Sequence, residues 1–180
     1  MRSQIAAMTI AATLAGCASR PEFLDATPPK PLVLEQALSG RVLGEGAFIN
    51  SITGGETRFS VVMDGTWDGK VLKLVEDFTY TDGSTDRKTW FLTKKADGVY
   101  EGTREDVIGV ADVRSDGPGV RLDYEVTLQT GIGALDVRFQ DLMYLNNDGS
   151  IANKAVVSKF GLRVGRVDIT MRPQKAPGVQ

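Results

Sequence analysis

Cys17 and two carboxylates, Glu76 and Asp141, are the residues of this 180-residue chain whose types and settings could do chemistry. Cys17 is the only cysteine and ends the run Leu14-Ala15-Gly16-Cys17, behind a short apolar stretch over residues 5–14. Small residues just before a cysteine suit a lipoprotein signal peptidase, which would expose Cys17 as a new N-terminus. Its thiol would then carry a diacylglyceryl group and its amine a further acyl chain. Each buried methylene contributes about 0.8 kcal/mol, so several chains make a stable anchor. Arg2 supplies the positive start of a secretory signal, and the apolar stretch is far shorter than the ~20 residues that span a bilayer. Ala18 and Ser19 follow where an aspartate would favour the inner membrane, so the expected address is the outer membrane, facing the periplasm.

The carboxylates matter because of their neighbours. Leu72, Leu74, Glu76, Phe78 and Tyr80 alternate onto one strand face, and Asp141 lies likewise between Phe139 and Met143. A carboxylate among apolar side chains must pair or take up a proton. Arg87, Lys159 and Asn153 are candidate partners, and Trp90 is a candidate core or cavity wall. Three readings stay open: a structural ion pair or shifted register; a polar anchor in a ligand cavity lined by Glu76, Arg87, Trp90, Asp141 and Lys159; or an acid pair of the glycosidase type, whose separation the sequence does not fix.

The absence of histidine removes much else. Ser-His-Asp and Cys-His nucleophiles, histidine-bound zinc and histidine-bound haem are excluded. Ser158-Lys159 would point to opposite strand faces. The loop Asn146-Asn147-Asp148-Gly149-Ser150 fails as a calcium loop, because Tyr144 stands where the first aspartate belongs. Gly44-Glu45-Gly46 and Gly131-Ile132-Gly133 lack the third glycine of a dinucleotide site. No metal or cofactor is expected, and the balance leans away from an enzyme.

Removing residues 1–16 takes away Arg2 and no acid, so the formal charge goes from −2 to −3. No clustered basic surface suggests a nucleic-acid partner. After position 150, Lys154, Lys159, Arg163, Arg166, Arg172 and Lys175 face only Asp168. They suit solvated outer positions, or contact with lipid headgroups or an anionic ligand.

Four segments follow: a signal peptide over 1–16, the lipidated cysteine and a Pro-rich tether over 17–39, a β-domain over 40–173 and a tail over 174–180. Pro21, Pro28, Pro29 and Pro31 favour an extended tether that holds the body off the membrane. Residues 33–38 could form a helical turn at the barrel entrance. From Gly40 the pattern alternates with period two, broken by Asp-Gly pairs at 68, 82, 97, 116 and 148 that suit type I′ hairpins. Ten strands are expected, at 41–50, 56–66, 70–80, 86–95, 98–105, 108–115, 119–129, 134–145, 150–160 and 162–172. Short links make a meander, and closing it into an antiparallel up-and-down barrel removes the bare edges. A two-sheet sandwich is the alternative.

Several runs resemble a family of uncharacterised proteobacterial lipoproteins, domain-of-unknown-function family 3833. They are Gly65-Thr66-Trp67-Asp68-Gly69, Glu76-Asp77-Phe78 with Tyr80, Asp82 and Gly83, Trp90 with Leu92-Thr93-Lys94, and Tyr100 with Gly102-Thr103. The last block is Met143-Tyr144-Leu145, Asn153 and Ser158-Lys159-Phe160-Gly161 through Gly165. Leu142 replaces an expected tryptophan, which would alter one cavity wall. The resemblance implies a lipocalin-like, calycin-like barrel and a link to envelope lipid, but no catalytic residues. The expected function is binding of a small hydrophobic or amphiphilic ligand, such as a fatty acyl chain. A filled, structural barrel serving as an accessory is the alternative.

Overall fold

A computed structural model describes residues 20–22, 30–130 and 133–174. Ten antiparallel strands close into one barrel in the order β1-β10-β9-β8-β7-β6-β5-β4-β3-β2. They are β1 (Gly40–Asn50), β2 (Glu56–Trp67), β3 (Val71–Tyr80), β4 (Thr85–Ala96), β5 (Val99–Thr103), β6 (Ala111–Asp116), β7 (Gly119–Thr130), β8 (Gly133–Leu145), β9 (Ile151–Lys159) and β10 (Leu162–Pro173). β1 pairs with β10 from Val42 opposite Pro173 to Asn50 opposite Gly165, which closes the ring and excludes the sandwich.

Residues directly opposite in a ladder share a face, so the register identifies the interior. Leu72, Leu92 and Gly102 line one level; Leu122, Asp141, Ala155 and Val167 line another. The interior is mainly apolar, while Lys73, Asp77, Arg87, Arg121 and Arg138 sit on the outer face. A transmembrane barrel shows the reverse, with an apolar outer band. Among the described residues no helix is long and apolar enough to cross a membrane.

The two ends differ. One is closed by α1 (Leu34–Ala37), whose Leu34 is buried in the core together with Leu32 and Leu38. Leu32 N donates to Pro118 O at 2.9 Å, and Lys94 Nζ to Glu35 Oε1 at 2.7 Å. The Tyr100 hydroxyl also donates to Glu35. Gly65 makes room for this plug, since a Cβ there would lie 1.7 Å from Leu38 O. The C-terminal part of the expected tether is therefore a barrel component. Residues 17–19 and 23–29 lie outside the described residues, as do the signal segment and residues 175–180.

At the other end the inward-facing Phe48, Phe59, Phe78, Tyr80 and Phe139 are only half-buried. Phe59 and Phe78 meet edge-on at 5.5 Å, and Tyr124 stacks on Phe139 at 5.4 Å. This half of the barrel, aromatic-lined and partly open to solvent, is the cup end.

The Asp-Gly turns differ from the type I′ expectation. Gly69, Gly83, Gly98, Gly117 and Gly149 have positive φ, but among the described non-glycine residues only Phe160 does. Three of the aspartates instead accept backbone bonds: Asp68 from Lys70 and Val71, Asp82 from Ser84, and Asp148 from Ser150. Side-chain capping thus leaves only glycine to turn left-handed. Phe160-Gly161, at φ 51° and 77°, is the pair with the two positive φ values that type I′ requires.

Candidate functional site

Strand alternation carries Glu76 from β3 and Asp141 from β8 to the floor of the cup. Glu76 pairs opposite Met63 and Lys88, and Asp141 opposite Leu122 and Ala155. Both are buried, as is Asn153 on β9. Trp90 on β4 and Tyr124 on β7 meet edge-on at 5.1 Å in the same core.

The cation among them is Arg104, from the loop between β5 and β6. Its guanidinium lies 4.6 Å from the Trp90 ring centre and 5.6 Å from that of Tyr124. Nη1 stands 4.0 Å from Glu76 Oε2, and Nε donates to Asp106 Oδ1 at 2.6 Å. The loop is fastened to β7 by a Val107–Val126 bridge, Ile108 N to Glu125 O, and Thr127 N to Asp106 O. Asp106 also lies 3.3 Å from Lys88 Nζ, which reaches Asp86 at 3.1 Å. A ladder of alternating charge therefore climbs from the floor toward the rim.

Acceptors at the floor outnumber donors. Asn153 Nδ2 donates to Asp141 Oδ2 at 3.1 Å, yet Glu76 Oε2, Asp141 Oδ1 and Asn153 Oδ1 are buried without a hydrogen-bond partner. Burial raises Glu76 to about 7 against the pull of Arg104, with Asp141 adding to the rise. Burial likewise raises Asp141 to about 7, although Asn153, Arg104 and Tyr124 oppose it. A neutral carboxyl can donate and an ionised one can only accept, so near neutrality the floor can take either role toward a ligand. Among the described residues no group of three or more acidic side chains is placed to hold a metal.

The structure brings together Glu76, Asp141 and Trp90, but not Arg87 and Lys159. Arg87 points outward and binds Asp77 through Nε at 2.5 Å and Nη2 at 2.8 Å. Lys159 lies at the rim with Nζ 4.7 Å from the Phe160 ring centre. Each is corrected for a local reason: Arg87 has the parity of the outer face, and Lys159 ends its strand before a turn. Leu142 also faces outward, opposite Arg121 and Lys154, so it lines no cavity. Cys17 lies outside the described residues. Arg104 was missed because its inward turn comes from a loop, where alternation carries no information.

An open groove of about 710 Å³ runs along β1, β2, β3 and β10, among Glu45, Glu56, Arg58, Arg166 and Asp168, and reaches Phe59 and Tyr80 of the cup. Its lining is mixed polar and apolar, and none of the orphaned buried acceptors lines it. The cup is the better candidate.

The chain belongs to the family described as "Protein of unknown function (DUF3833)", whose model matches residues 11–173. No curated protein matches it. Among solved structures it is similar to the S-type phycobiliprotein lyase CPES from Guillardia theta, with TM-score 0.58 and 9% identity, over 79% of this chain and 92% of that one. That likeness is one of fold. A redesigned β-barrel, mFAP1, bound to DFHBI, aligns at TM-score 0.40 and 14% identity, over 77% of this chain and 97% of that one.

Proposed function

We propose that this barrel binds a single small amphiphile, held head-down, and that Cys17 anchors the protein by lipid to the outer membrane on its periplasmic side. The observation that carries the ligand reading is the trio of orphaned buried acceptors, Glu76 Oε2, Asp141 Oδ1 and Asn153 Oδ1, beneath half-buried aromatic walls. Buried polar atoms are rarely left without partners, and a ligand's donors would satisfy these. An apolar tail would lie among Phe59, Phe78, Tyr80 and Phe139. The three orphaned acceptor oxygens favour a head with amine or hydroxyl donors over a fatty-acid carboxylate, which brings only further acceptors. Small barrels can hold one ligand in this way. The signal-like segment before Cys17 supports the anchor, and an envelope setting would place the site within reach of lipid metabolism.

The test is native mass spectrometry of the mature protein after gentle extraction, followed by thermal melts with dodecylamine and with dodecanoic acid. Dodecylamine should raise the wild-type melting temperature, with dodecanoic acid doing little, and Glu76→Gln should cut the dodecylamine response. Equal responses to both probes, or a response untouched by Glu76→Gln, would overturn the head-down reading. The tightly packed plugged half favours one second reading, a structural barrel. Absence of any bound or added amphiphile would support it.

A further inference from the structure

Exposed apolar side chains sort by end. Ile52, Ile108, Val110, Leu135, Phe160 and Leu162 are exposed on loops, tips or strand starts of the cup end, with Phe160 at 92% and Ile52 at 75%. The only other exposed large apolar residues among those described, Leu43 and Phe91, lie on the outer wall. Tips at the plugged end are polar, as in Asp68-Gly69-Lys70, Asp97-Gly98 and Asn146 through Ser150, and at the cup end the β3–β4 tip Thr81-Asp82-Gly83-Ser84 is polar too.

Two of the rim residues are held where they are rather than left over. Phe160 sits at φ 51°, in a backbone region that bulky side chains enter only with strain. Strain of this kind gathers where function maintains it. Asn50 Oδ1 accepts from the N–H groups of Ile52 and Thr53, at 2.9 and 3.0 Å, ordering that tip while its isoleucine stays in solvent.

We propose that the cup end is a docking face for an anionic phospholipid bilayer, with the barrel standing mouth-down on the membrane. Charge supports a lipid surface. Lys159 and Arg163 flank the Phe160-Gly161-Leu162 tip, while Lys154 and Arg166 lie farther along the outer wall, paired with Asp168. An apolar tip between cations matches the headgroup boundary of anionic lipid. Shape supports it too. The β5–β6 loop lies across the ring from the neighbouring β1–β2 and β9–β10 hairpins, so a planar surface can meet all three.

The described residues ahead of β1 are held on the β7 wall and at the plugged end, away from these tips. Arg20 pairs with Asp123 at 3.4 Å, Arg121 Nη1 donates to Pro21 O at 2.8 Å, and Leu32 reaches Pro118 at the plugged end. The proposal goes beyond the ligand reading and does not need the cup to be occupied. If both hold, an amphiphile enters directly from the lipid phase.

The experiment uses the full chain with Cys17→Ser, which carries no acyl group and leaves single introduced cysteines to label. An environment-sensitive fluorophore goes on Phe160→Cys, Ile52→Cys or Asn147→Cys, and vesicles of phosphatidylethanolamine and phosphatidylglycerol are added. Emission should shift to the blue at 160 and 52 and stay fixed at 147. In the unlabelled protein, Phe160→Gly suits the left-handed backbone and should weaken vesicle binding about tenfold through lost apolar burial, with the dodecylamine response of the cup unchanged. Silence at all three labels, as binding through residues 1–16 alone would give, overturns the proposal. So does an equal shift at 147, or a rim shift that grows with protein concentration without vesicles, the signature of a second copy.

Discussion

The plugged end and the cup end use the same alternating strands but treat buried charge in opposite ways. At the plug, Glu35 is met by Lys94 and Tyr100; burial raises its pKa, but these hydrogen bonds outweigh it and hold it below the usual carboxylate range. In the cup, Glu76 and Asp141 each keep an orphaned oxygen, and burial wins. Satisfied polar groups lock a structure, whereas unsatisfied ones store an affinity for something else. One end is built as a seal and the other as a receptor.

The comparison breaks most severely at Gly65. Gly65→Val should unseat α1, since the added Cβ meets the backbone oxygen of Leu38 rather than a side chain that could move aside. Overpacking against fixed structure should cost about 3 kcal/mol, read as a lower denaturant midpoint. Hydrogen exchange should rise first at residues 34–38, where the plug opens.

The two ends should next separate by pH. Glu76 and Asp141 have folded pKa values raised to about 7 from 4.5 and 3.8. The native state therefore holds their protons more tightly than the unfolded state. Their contribution is fully present below about pH 4 and is lost as pH rises through about 7. Stability should decline from pH 5 to 8, and Glu76→Gln should flatten the decline by on the order of 2–3 kcal/mol. Glu35 has the opposite sign: its contribution is present above its unfolded pKa and is lost as pH falls through the lower folded one. Glu35→Gln should cost about 1.5–2 kcal/mol at pH 7, in line with hydrogen bonds to charged groups, and less in acid. Urea melts across pH check both.

Turns give the smaller effects. A Cβ at Gly149 would meet no atom within 4 Å, so for Gly149→Val the φ of 80° is the main term against it. A loss of about 1–2 kcal/mol is expected from strain alone. Phe160→Asn should do the reverse and stabilise the barrel by less than about 1 kcal/mol, since asparagine tolerates the left-handed region. A destabilised Phe160→Asn would show that the ring has a packing role the exposed tip does not display.

Much of the fold was legible in the sequence because it repeats a local rule. Period-two alternation and Asp-Gly punctuation located the ten strands to within a few residues, and parity alone put Glu76 and Asp141 on the inner face. The same parity sends Arg87 outward, but choosing ion partners by charge obscured that. The helical turn at 33–38 was expected at the barrel entrance, but its burial as a plug and the inward turn of Arg104 were hidden for a different reason. Both lie in irregular segments whose positions come from contacts distant in sequence, such as Val107 with Val126 and Leu32 with Pro118. Turn type was misread because Asp-Gly is compatible with more than one geometry, and the aspartate carboxylate decides which forms.

The pairing of β1 with β10 also governs the order in which this molecule can be made. Until residues 162–173 are in place, β1 presents a row of unpaired backbone groups, as does β9 on the other side of the gap. Such edges recruit other strands, so a chain cut short before β10 should aggregate rather than fold into a smaller barrel. Joining strands more than a hundred residues apart makes folding intrinsically slow. An incomplete copy therefore has no stable resting form, and final assembly must wait for the whole ring.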